Sequence, residues 1–193
     1  MTSRLHTTAY LAAPALLATY GVVRLLDGQH GPGPGWTTGH LALLGSLLMF
    51  GVVMHGLYRA AAARGPVAPG VAFGAGLLGL GASLGQVGID LYVGLRTVDS
   101  AGKDRLFEQI QSHPGVLPVF YTVLPLFFYV GLLGLAGVLA VRRLVPFRSP
   151  LLVLAATVLM AASLDLMPVG AALLALATAP LVVRRAAPVP VPA

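Results

Sequence analysis

Four stretches of this chain, 7–26, 38–58, 70–95 and 117–141, are apolar almost without interruption. A helix rising about 1.5 Å per residue needs roughly 20 such residues to cross some 30 Å of hydrocarbon. Inside lipid the backbone has no water to bond, so an α-helix that satisfies its own N–H and C=O groups is the form such segments take. The stretch 150–183 is too long for one crossing and carries Asp165 and Pro168 near its middle. It reads as a tight hairpin of two shorter spans, 150–164 and 168–183. The expected fold is all-α, a polytopic membrane helix bundle of about six transmembrane helices. The first run is long and lacks a clear small-residue cleavage site, so it reads as a span and not as a cleaved signal peptide.

Composition agrees. Hydrophobic residues make up 57% of the 193 and charged residues only 9%, against about 25% charged in soluble domains. That excludes an ordinary cytosolic enzyme and a disordered chain. The twelve basic residues are scattered between apolar runs and form no patch for nucleic acid. Without cysteine there is no disulfide, thiolate metal site or cysteine nucleophile.

The basic residues have a different meaning. With the N-terminus in the cytoplasm, the inner side receives Arg4, Arg59, Arg64, Arg142, Arg143, Arg148, Arg184 and Arg185 and no acid. The outer side receives Arg24, Arg96, Lys103, Arg105 and all six acids, Asp27, Asp90, Asp99, Asp104, Glu108 and Asp165. Arginine excess marks the cytoplasmic face, so both termini are expected inside, in a multi-pass protein of the cell membrane. Gly- and Pro-rich turns at 28–35, 64–66 and Pro146 separate the spans. A short amphipathic helix over 103–112, with Leu106, Phe107 and Ile110 on one side, suits the outer membrane surface. One transmembrane domain, 1–187, is followed by a Pro-rich tail, 188–193, expected to be extended and disordered.

Ionisable groups inside a membrane are costly and usually face the protein interior or a wet cavity. Ser83, Gln86 and Asp90 share one helical face in the third span. Asp165 sits at the outer apex of the last hairpin, and His40 and Tyr121 open the second and fourth spans on the same side. One polar cluster in the outer half of the bundle is therefore expected, with Asp90 and Asp165 as acids and Gln86, His40, Tyr92 and Tyr121 beside them. Simpler roles exist: Asp165 as a helix N-cap, Asp90 paired with Arg96, His40 as an interfacial hydrogen-bonding residue. The fourth span adds Phe127, Phe128 and Tyr129 to Phe120-Tyr121, with Pro118 and Pro125 expected to kink it. Glycine is frequent in the third span, and the pairs Gly70/Gly74 and Gly81/Gly85 have the spacing that lets helices approach closely. That spacing predicts a central third span, with Asp90 turned inward.

No P-loop, dinucleotide fingerprint or His-Glu-x-x-His motif is present, and no metal or cofactor is expected. His40 and His55 lie about 22 Å apart along one helix and cannot share a haem. What remains is acid chemistry. A carboxyl group withdrawn from water can keep its proton near neutral pH and protonate an alkene or epoxide. The aromatic faces of Phe127, Phe128, Tyr129 and Tyr121, lining the substrate, then stabilise the cation, and a second acid or a water held by Gln86 takes the final proton.

In size, multi-span form, its two membrane-embedded acids and its aromatic fourth span, the chain resembles the small membrane-bound terpene cyclases of bacterial indole-terpenoid and drimane-type meroterpenoid pathways. The resemblance covers overall organisation, without a motif aligned residue by residue. The fungal relatives have seven spans and a glutamate following a tryptophan, whereas the single tryptophan here, Trp36, falls in a loop. The resemblance implies proton-initiated cyclisation of a prenylated substrate, without metal or loss of diphosphate. Asp90 and Asp165 would be the catalytic acids, and replacing either by Asn would abolish activity. Two other classes fit the same pattern: a substrate-capture subunit of a vitamin or metal importer, and a non-catalytic assembly protein.

Overall fold

The computed structural model describes residues 2–28 and 31–186. Gln29 and His30 of the first turn, and the tail 188–193, lie outside the described residues. Seven α-helices follow one another: α1 (Thr2–Asp27), α2 (Pro34–Ala62), α3 (Val67–Arg96), α4 (Ser100–Gln111), α5 (Leu126–Val141), α6 (Arg148–Ala162) and α7 (Met167–Ala186). A π-helical segment, Val116–Val123, leads into α5, and a 3-10 turn, Leu164–Leu166, leads into α7. No strand occurs among the described residues.

Five helical stretches are long and apolar enough to cross a membrane: 5–27, 34–62, 67–96, 116–141 and 164–182. The sixth apolar helix, α6, has 15 residues and is only about 22 Å long, as befits half of a tight hairpin. The chain is a polytopic membrane helix bundle. Helices α1, α2, α3, α5, α6 and α7 each pack against the next, α7 closes back on α1, and α2 also touches α5 across the middle. Phe50 of α2 meets Phe128 of α5 edge-to-face there, with ring centroids 5.6 Å apart. Ser46, fully buried, donates to the carbonyl of Ala13 at 2.8 Å and ties α2 to α1. Amphipathic α4 stays outside the ring, against α3, the π-helical segment and, through Lys103 and Phe107, the Trp36 ring of α2.

Because each helix reverses direction, charge segregates to the two ends. One end holds the α2–α3 and α5–α6 turns and their arginines. The other holds the acids, α4 and the α6–α7 apex. At the arginine-rich end the Arg64 guanidinium donates to the carbonyl of Arg142 at 2.8 Å. Arg142 answers by donating to the carbonyls of Ala61 and, at 3.1 Å, Gly65. Two arginines thus add side-chain donors to carbonyls at the ends of α2 and α5 and tie the two turns together.

The glycines of α3 act differently from the expected pairing. Gly70, Gly74 and Gly81 face open space. Close packing falls instead on Gly76 and Gly79, which meet Gly131 and the backbone of Phe127-Phe128 on α5. Nor is α3 central: only 28% of its span is buried, the lowest share among the five long spans. Spacing identified the helix as closely packed but not which of its faces packs, because glycines lie on both.

Candidate functional site

Asp90 is nevertheless turned inward. Its carboxylate Oδ2 lies 3.6 Å from His40 Nε2, an ion-pair distance slightly too long for a full hydrogen bond. The other ring nitrogen of His40, Nδ1, lies 2.8 Å from the carbonyl oxygen of Trp36. A carbonyl only accepts, so Nδ1 must carry a proton. In the neutral ring Nε2 then has only a lone pair, and a lone pair facing a carboxylate sets two acceptors against each other. One proton between Asp90 and His40 resolves the conflict, as imidazolium with carboxylate or as imidazole with carboxylic acid. The geometry is therefore that of a dyad able to hold one proton between its two members.

The local sequence explains why His40 is so fixed. Trp36 and His40 are four residues apart in the first turns of α2 and so share a face; their rings lie 4.2 Å apart. Trp36 Nε1 reaches across to donate to the backbone carbonyl of Asp90 at 2.8 Å. The indole fits because residue 94 is glycine: a Cβ there would lie 2.6 Å from Nε1. Tyr20 closes the other side, its ring edge-on to His40 at 5.5 Å. Above the indole, α4 contributes Lys103 at 5.4 Å and Phe107 at 6.3 Å. Trp36 is thus a helical residue at the centre of the site and not part of a loop. The signal available in the sequence was its spacing from His40.

Asp165 is placed differently. Its carboxylate pairs with Arg24 Nε at 3.3 Å, and its side chain is 55% exposed against 22% for Asp90. Arg24 lies within electrostatic reach of Tyr20 and His40, and Tyr20 within reach of Asp90. The two acids belong to one end of the bundle but answer to different partners, with Arg24 and Tyr20 between them. Nor does Asp165 cap α7. It lies inside the 3-10 turn that leads into α7, and Ser163 caps that turn, its hydroxyl accepting from the Asp165 N–H at 3.1 Å. Arg96 leaves Asp90 alone and lies over the ring of Tyr92 at 5.5 Å, on a side chain half exposed at the surface.

Among the aromatic residues, Tyr121 is near the dyad, within electrostatic reach of Asp90. Its hydroxyl is buried and finds no hydrogen-bond partner among the described residues. The trio Phe127, Phe128 and Tyr129 lies deeper. The Phe128 backbone packs at Gly79, eleven residues and about 16 Å along α3 from Asp90. Phe127 faces outward, Phe128 fills the core and Tyr129 stacks edge-on to Phe128 at 5.1 Å. These three do not line the dyad.

Gln86 has a role set by proline. In the π-helical segment, N–H groups reach back five residues: Phe120 to Gly115 at 3.1 Å, and Leu124 to Val119 at 2.8 Å. The next donor in that register for the carbonyl of Phe120 is residue 125, which is proline and has no N–H. Gln86 Nε2 supplies the donor instead, at 2.6 Å. Gln86→Leu is therefore expected to cost about 1–3 kcal/mol by orphaning that carbonyl. Adding Pro125→Ala, which restores an N–H, should recover part of the loss. Thermal unfolding midpoints of the two variants in detergent check this; absence of any recovery would show that Gln86 acts elsewhere.

Beside the dyad, Tyr20, Val23, Arg24, Asp27, Trp36 and His40 enclose a cavity of about 20 Å³, room for roughly one water. No group of three or more His, Asp or Glu side chains fit to hold a metal occurs among the described residues. Comparison with protein-family models, with curated proteins and with solved structures finds no match.

Proposed function

We propose that this chain is an integral-membrane enzyme in which the Asp90–His40 pair donates a proton to a prenylated, lipid-like substrate and so starts its cyclisation. The observation that carries this reading is the 3.6 Å approach of His40 Nε2, on a ring whose Nδ1 is committed to the Trp36 carbonyl, to the Asp90 carboxylate. In the proposed reaction the proton adds to the terminal alkene or opens an epoxide. The tertiary cation that results is attacked by the next double bond, and loss of a proton from carbon ends the sequence. For an alkene the product is an isomer of the substrate, and the proton returns to the protein. In this reading the aromatic rings grouped near the dyad, Tyr20, Trp36 and Tyr121, would stabilise the positive charge as it develops.

The cavity at the dyad is far smaller than the roughly 300 Å³ of a small-molecule pocket. A prenyl chain would therefore lie along the lipid-facing side of the bundle and present only its reacting end. In this scheme Asp90 and His40 are the catalytic residues, while Asp165 holds Arg24 and acts at a distance. The chain would sit in the cell membrane with its arginine-rich end, and both termini, in the cytoplasm, as the positive-inside rule directs.

The test is incubation of the protein in lipid nanodiscs with prenylated acceptors in deuterium oxide. The reading expects a cyclised product carrying one deuterium at the carbon first protonated. Recovery of every acceptor unchanged would contradict it. Co-purification with partner subunits and a tightly held vitamin would favour import instead.

A further inference from the structure

The arginine-rich end does more than mark orientation. Five arginines with described side chains gather there, Arg59, Arg64, Arg142, Arg143 and Arg148, and the ion pairs among the described residues all lie at the opposite end. Arg64 and Arg142 are occupied by backbone carbonyls. Arg59, Arg143 and Arg148 are exposed and pair with no carboxylate among the described residues.

Arg143 is the informative one. At the end of α5 its N–H bonds to the carbonyl of Ala140 at 2.9 Å, and the N–H of Leu144 bonds to Leu139 at 2.8 Å. That pair of bonds is the Schellman helix ending, whose left-handed residue is usually glycine. Here it is Arg143, at φ 58°, the only non-glycine positive φ among the described residues. An arginine held where glycine is the more comfortable residue points to use of its side chain. The flanking residues Val141 and Phe147 are apolar and 73% and 65% exposed, so exposed apolar and basic side chains meet at this turn.

We infer that Arg59, Arg143 and Arg148 form a docking surface for the phosphate headgroups of anionic phospholipids. A lipid and not a free phosphate is indicated by the arrangement. The three guanidinium groups are spread along the rim of an apolar bundle, beside exposed Phe147 and Val141 that would rest among acyl chains. Free phosphate calls for convergent, buried donors. Each arginine close to an anionic surface contributes roughly fivefold in partitioning.

The experiment places the full chain in phosphatidylcholine nanodiscs with trace spin-labelled phosphatidylglycerol or phosphatidylcholine and measures relative association by electron paramagnetic resonance. The native chain should prefer phosphatidylglycerol. The triple variant Arg59→Gln, Arg143→Gly, Arg148→Gln should lose about tenfold or more of that preference. Arg143→Gly alone should lower the preference while raising the unfolding midpoint in pure phosphatidylcholine, because glycine suits the left-handed position. Inorganic phosphate should act no differently from chloride at matched ionic strength. Full preference in the triple variant, no preference in the native chain, a lower midpoint for Arg143→Gly, or displacement of the labelled lipid by inorganic phosphate would each overturn the inference.

Discussion

Gly79→Ala and Gly131→Ala are each expected to destabilise the bundle by about 3 kcal/mol, at the upper end of the cost of overpacking. The reason is what the added methyl would strike. At Gly79 it would come within 2.6 Å of the carbonyl carbon of Phe127 and 2.8 Å of Phe128 Cα; at Gly131, within 2.5 Å of the Gly76 nitrogen and 2.6 Å of the Ala72 oxygen. These are backbone atoms and cannot rotate aside, so α3 and α5 would have to separate along their whole contact. Gly74→Ala and Gly81→Ala add the same methyl to the same helix but meet nothing within 4 Å. They should change stability by no more than about 0.5 kcal/mol. Unfolding midpoints of the four variants check this. Equal changes at all four positions would mean that close approach does not decide the effect, because helix propensity alone favours alanine at every one of them.

Separating α3 from α5 would also move Gln86, and with it the turn of α3 that carries Asp90. The second large effect belongs to that residue. Asp90→Asn should lower turnover of a prenylated substrate by about 10²–10⁴-fold, the usual contribution of a positioned proton donor. Asparagine keeps the shape of the side chain and the packing around Trp36, so the unfolding midpoint should move little. His40→Gln should lose activity to a similar degree, because no proton is then held against the carboxyl group. Asp165→Asn is the contrast. Its carboxylate is more than half exposed and paired with Arg24, and exposed ion pairs contribute about 0–1 kcal/mol, so turnover should survive. Loss of turnover in Asp165→Asn equal to that in Asp90→Asn would restore a two-acid site.

Helix positions, the hairpin at Asp165-Pro168, the surface helix α4 and the segregation of arginine from acid were all legible in the sequence. Each follows from length, hydropathy or charge, quantities that need no knowledge of neighbours. The candidate site was legible in part. Depth along a helix brought Asp90, His40 and Tyr121 to one end, and the structure keeps them together. Depth says nothing of rotation about the helix axis, which is why Tyr92 and Phe127 turn out to the surface of the bundle. The aromatic trio lies away from the dyad for another reason: Phe127-Phe128 follow Phe120-Tyr121 by seven residues, about two helical turns deeper, where they pack at Gly79. Trp36 and Arg24 were missed because each lies at a helix end next to a Gly-rich turn, where apolar patterning gives no signal, and Tyr20 because inside the first span it reads as one more apolar residue. Gln86 drew notice as a polar residue in a span, yet its role depends on a proline in another helix.

The most direct measurement of the central claim is nitrogen-15 magnetic resonance of His40 in the bilayer-embedded protein, with infrared detection of the Asp90 carboxyl group. If one proton is shared, Nδ1 stays protonated throughout, and Nε2 and the carboxyl group change state together at a single midpoint that disappears in Asp90→Asn. A His40 ring whose titration is the same with aspartate or asparagine at position 90 would show two independent groups and no proton-holding dyad.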